Sequence, residues 1–121
     1  MDLEQLGALW DKFSGLVREK LLERHEEHGD GFLGMEPEEW FTHLKNKADR
    51  TRNLMVTFQA KAKRFDELKA NDDANPPEGL NEETLQTAQE LEALSAKIVD
   101  ACVDSAGYGG LRWMQHTLEE I

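Results

Sequence analysis

Between Asp2 and about His28, apolar residues fall at Leu3, Leu6, Trp10, Phe13, Val17 and Leu21. Steps of three and four lay them in one stripe along a helix, which predicts a first helix over about 2–28. Three glycines in the six residues Gly29-Asp30-Gly31-Phe32-Leu33-Gly34 then break it. Pro37 suits a first helical turn, where its missing N–H costs nothing, and Glu36, Glu38 and Glu39 suit the positive end of the helix dipole. The stripe Trp40, Leu44, Thr51, Leu54, Phe58, Ala62 and Phe65 extends this second helix over about 37–70. Residues 71–80 read as a loop, closed by the Pro76-Pro77 pair and Gly79. Asn81 is a good N-cap for a third helix over 82–106, with Glu82 and Glu83 in its first turn and Leu80 and Leu85 spaced as a hydrophobic staple. This helix carries Leu85, Ala88, Leu91, Ile98 and Cys102; a last helical segment, 111–120, either continues it with a kink or packs back separately. At Gly107 the helix either ends in a cap or lets another backbone come close. No alternation of period two competes, so the expectation is all-α: one domain over 1–121, an antiparallel bundle of three long helices plus a C-terminal helical segment.

Composition narrows the class. A chain of 121 residues, 39% hydrophobic and 32% charged, is that of a water-soluble globular protein of one domain. No apolar run approaches a membrane span, and the first residues lack a signal peptide's basic and apolar regions, so a cytoplasmic location is expected. The lone Cys102, between Ala101 and Val103, reads as a small core hydrophobe. With 25 acidic and 14 basic side chains, the net charge of −11 disfavours broad nucleic-acid binding and anionic membranes. It favours divalent cations and basic protein surfaces instead.

The informative charges are those that fall where the helical pattern expects burial. At roughly 100° per residue, Lys47 lies within the Trp40–Leu44–Thr51–Leu54–Phe58 stripe, with His43 and Arg50 on its shoulder. Its ammonium either snorkels past apolar surface to water or meets an anion inside. Asp100 and Asp104, four apart on one face of the third helix and flanked by the small Ala93, Ala96 and Gly107, supply such an anion. Two partly buried carboxylates side by side need a cation or a proton, and Mg²⁺ is a suitable cation because it accepts oxygen ligands. The alternative is that Asp100, Asp104 and Lys97 form the narrow solvent face of an ordinary amphipathic helix. His25 and His28, three apart beside two glutamates, read as an exposed helix end rather than a zinc site, and the glycine-rich turn lacks the spacing of a P-loop.

Three runs carry a resemblance: His28-Gly29-Asp30-Gly31-Phe32, Leu44 to Leu54 with Lys47, Arg50 and Asn53, and Asp100 to Tyr108 with Asp104 and Ala106. Together they resemble the short phage and bacterial branch of the MazG-like all-α nucleoside triphosphate pyrophosphohydrolases. His43, Asn46 and Ala96 depart from that pattern, which has an Arg, an Asp and an acidic residue there. The resemblance implies an oligomeric enzyme in which Mg²⁺ on helix carboxylates activates a water that attacks a nucleotide phosphate. On this chain the metal ligands would be Asp100 and Asp104, with Glu36, Glu39 or Asp30, while Lys47 and Arg50 would neutralise the phosphates.

Three functional readings follow. The first is a Mg²⁺-dependent pyrophosphohydrolase acting on a nucleoside triphosphate, or a degenerate relative. The second is a non-enzymatic acidic helical binding module, an inhibitor or adaptor for a basic protein surface. The third is a structural subunit that joins copies of itself, a homo-oligomer, through exposed stripes of the first or last helix.

Overall fold

The computed structural model describes residues 1–29 and 34–120, with His28 and residues 111–120 described by their backbone alone. It is all-α, with three helices: α1 Leu3–His28, α2 Pro37–Ala74 and α3 Glu82–Glu120. The chain divides into two compact units, one of residues 1–49 with 101–121 and one of residues 50–100.

Each helix begins where the local chemistry asks it to. Asp2 and Gln5 form a reciprocal capping box at the start of α1: the Gln5 N–H donates to the Asp2 carboxylate at 2.8 Å, and the Asp2 N–H donates to Gln5 Oε1 at 3.0 Å. Gly29 ends α1 at φ 66°, in the region glycine enters without a Cβ penalty, and its N–H donates to the His25 carbonyl at 2.8 Å. Pro37 opens α2, and the N–H of Trp40 donates to the carbonyl of Glu36 at 2.9 Å. Asn81 caps α3, its side chain accepting from the Glu83 N–H at 3.1 Å.

One boundary differs from expectation, one open alternative at Gly107 is decided, and one expected contact is not made. The second helix runs past Ala70 to Ala74, because a stretch of Asn and Asp only mildly disfavours helix, whereas Pro76 forbids it. The third helix passes through Gly107 and continues to Glu120, so there is no separate C-terminal helix. Leu80 stays 78% exposed, so no staple is closed over it.

In the first unit α1, α2 and α3 come together. Gly107 lies against α1: a Cβ added there would stand 3.2 Å from Leu21 Cδ2 and 3.4 Å from Val17 Cγ1. The glycine is therefore a point of close helix approach and not a cap. Ala101, Val103 and Tyr108 are buried around it. The second unit is a hairpin of α2 and α3 alone, with Leu68 and Thr87 buried. Lys61 meets Glu90 at 2.6 Å and Arg64 meets Glu83 at 2.9 Å, so numbers rise on α2 as they fall on α3 and the two helices of the hairpin run antiparallel. Near its turn Asp72 accepts from Asn81 Nδ2 and from Thr84 Oγ1, both at 2.8 Å.

Candidate functional site

The charged cluster of the first unit is built from one residue on each helix. Asp104 of α3 is buried, at 7% exposure. Lys47 of α2 donates from Nζ to its Oδ2 at 2.6 Å, and Arg24 of α1 brings Nε to 2.7 Å from its Oδ1. The lysine contact is an aligned hydrogen bond. The arginine contact is one of charge, since Nε has no hydrogen bond of acceptable angle although it is buried. The ammonium of Lys47 also stands 5.1 Å from the centre of the Tyr108 ring, a cation–π contact.

Tyr108 completes the surroundings. It lies one helical turn beyond Asp104 and stacks on Trp40, centroids 6.3 Å apart and planes 13° from parallel. The Trp40 indole N–H donates to the Tyr108 carbonyl at 3.3 Å, and the Tyr108 hydroxyl reaches Met35 Sδ at 3.1 Å. His43 tilts toward the same ring at 6.5 Å.

Burial alone would push the Asp104 carboxyl up, since it penalises the charged form. The hydrogen bond and charge of Lys47, and then the charge of Arg24, outweigh it and hold the group below its ordinary value of 3.8. Burial, and after it the negative charge of Glu39, raises the Tyr108 hydroxyl above 10.0, so it stays neutral. Asp104 is thus ionised, and two cations face one carboxylate.

The sequence-predicted residues divide accordingly. Lys47 does turn inward and meets Asp104. Asp100, one turn earlier on α3, is exposed, as are Arg50, Glu36 and Glu39, and Asp30 lies outside the described residues. Burial along α3 changes at Ala101: Val99 is 47% exposed and Asp100 is exposed, whereas Ala101, Val103 and Asp104 are buried. The reason is the number of helices. A two-helix hairpin covers one side of each member, and three helices are needed to enclose a residue such as Asp104.

Among the described residues no group of three or more His, Cys, Asp or Glu side chains is gathered so as to hold a metal ion. Asp104 already has its charge met by Arg24 and Lys47. The described side chains therefore do not by themselves fit a magnesium cage. Arg24 was not among the residues singled out from the sequence, yet it had a signal: it stands three positions beyond Leu21 and seven beyond Val17, inside the same stripe.

No helix of the described residues is long and apolar enough to cross a membrane. Compared with protein-family models, with curated proteins and with solved structures, the chain matches none.

Proposed function

We propose that this protein is a nucleotide-binding relative of the MazG-like all-α pyrophosphohydrolases, of the degenerate kind in which the helical scaffold and the phosphate-facing cations are kept. The observation that carries this reading is the convergence of Lys47, Asp104 and Tyr108, all residues of the resemblance, on one cluster with Arg24. Lys47 and Arg24 approach the same carboxylate from two helices, which gathers two cations at one place on a chain of net charge −11. The Lys47 and Arg24 side chains are 23% and 36% exposed, enough for a polyphosphate to reach them. In that arrangement Asp104 is the anchor that positions the two cations, and the cations meet the phosphates.

The test is thermal melting against a panel of nucleoside triphosphates, with and without Mg²⁺, followed by a pyrophosphate-release assay. A ligand bound by the folded state alone, at a hundred times its Kd, stabilises by about 2.7 kcal/mol. A triphosphate that raises Tm in the parent and not in Arg24→Gln supports the reading. Pyrophosphate release would place the chain with the catalytic members, and binding without turnover with the degenerate ones. No shift with any nucleotide, in either metal condition, would overturn the assignment.

A second reading, an acidic module that docks on a basic protein surface, is favoured by the carboxylates of Glu36, Glu38, Glu39, Glu82 and Glu92, all exposed. Such a complex should weaken steeply between low and high salt.

A further inference from the structure

Tyr108 is the chain's one tyrosine, and it is buried, with its hydroxyl met by sulfur where an oxygen acceptor is usual. It donates to Met35 Sδ at 3.1 Å. A thioether sulfur is a weak acceptor, so a strong donor is spent on a poor partner. Among the described residues Met35 is the one methionine whose sulfur takes a hydrogen bond; Met1 and Met55, 82% and 42% exposed, take none. Met35 is half-buried and stands just outside α2, between the exposed Gly34 and Glu36, so small solutes can reach it.

We propose that Met35 is a site of oxidation by peroxide, whose sulfoxide the Tyr108 hydroxyl holds more firmly than it holds the thioether. The step balances with hydrogen peroxide as the only co-reactant. A lone pair of Sδ attacks one peroxide oxygen, the S–O bond forms as the O–O bond breaks, and the departing hydroxide takes up the proton of the transferred oxygen to leave as water. The sulfur is oxidised by two electrons and the peroxide reduced by two.

What sets Met35 apart is the fate of the new oxygen. A sulfoxide in a packed place is ordinarily disruptive, because a polar oxygen is buried without a donor. Here the donor is in place before the oxidation and is fixed from behind. The Tyr108 ring stacks on Trp40 at 6.3 Å, Lys47 Nζ stands 5.1 Å from its centre, and the Tyr108 carbonyl accepts from the Trp40 indole. Met35, outside the helix, is the partner that shifts to admit the oxygen. Oxidation then tightens the tie between the lead-in of α2 and α3 instead of loosening it. None of this depends on whether a nucleotide binds.

Treatment of the full chain with hydrogen peroxide, with the oxidised positions located by mass spectrometry of its peptides, tests this. Met35 is expected to gain one oxygen in the folded chain. The change in Tm on oxidation should be more favourable in the parent than in Met35→Leu by roughly 2–4 °C; that variant keeps Met1, Met55, Met114 and Cys102, so it reports what their oxidation does. In Tyr108→Phe, where the sulfoxide has no donor, oxidation should lower Tm further than it does in Met35→Leu. The phenol gives a second readout. Its ultraviolet titration, that of a single tyrosine, should move to higher pH on oxidation of the parent and not of Met35→Leu, because a stronger bond from the neutral hydroxyl opposes loss of its proton. A Met35 still reduced when Met1 and Met55 are fully oxidised, equal Tm changes in the parent and Met35→Leu, or an unmoved phenol titration would each overturn the proposal. So would a folded Tyr108→Phe that responds as the parent does.

Discussion

Asp104 shows how a single residue divides its neighbours into those that matter and those that do not. Its carboxylate is buried and needs its cations, but the two are not equivalent. Lys47 gives an aligned hydrogen bond from a side chain 23% exposed, and Arg24 a charge contact from one 36% exposed. Removing a hydrogen-bonded partner of a buried charge costs about 3–5 kcal/mol when burial is complete, and less where water can reach in. Chemical denaturation of Lys47→Ala should therefore show a loss of about 1–3 kcal/mol, with Arg24→Ala losing less; equal losses would count against the asymmetry. The pH dependence has a definite sign. Because the folded pKa is depressed, the stability that Asp104 contributes is fully present above its ordinary 3.8 and disappears as pH falls through the lower folded value. The stability gap between the parent and Asp104→Asn should accordingly narrow below about pH 4, which denaturation at pH 7 and at stepwise lower pH will read.

At the scale of the element, helix ends and helix interiors offer opposite opportunities. Asn81 both caps α3 through the Glu83 N–H and donates to Asp72 across the turn, so Asn81→Ala should cost about 1–2 kcal/mol, against roughly 1 for a cap alone. Gly15 lies inside α1 with open space where a Cβ would go. Gly15→Ala should stabilise by about 0.5–1 kcal/mol, visible as a higher denaturation midpoint at unchanged slope. Much of this level could be read in the sequence. Periodicity located all three helices, and it marked Lys47 as a cation aimed inward, with Arg24 carrying the same mark. What spacing could not tell apart was Asp100 from Asp104. Both lie on one face of α3, and only the presence of a third helix beside Asp104 makes one buried and the other exposed. The continuity of α3 through Gly107 was also beyond local chemistry, since a glycine serves a cap and a close contact equally well until Leu21 is known to lie 3.2 Å from its missing Cβ.

On the scale of the whole molecule, the described residues leave little apolar matter fully inside. Leu68, Ala101, Val103 and Tyr108 are buried, while Leu3, Leu6, Leu9, Trp10, Phe41, Val56 and Leu80 are each more than half exposed. Hydrophobic burial is the main favourable term in folding, so the few side chains that are enclosed carry a large share of it. Leu68 of the second unit is 5% exposed, and Leu68→Ala should cost about 2–5 kcal/mol, the range for truncating a buried leucine. Val56 of the same helix is 57% exposed, and Val56→Ala should cost about 0.5 kcal/mol or less. Chemical denaturation of the two variants beside the parent will read the difference, and equal losses would mean that burial at Leu68 adds no more to the fold than an open surface position does.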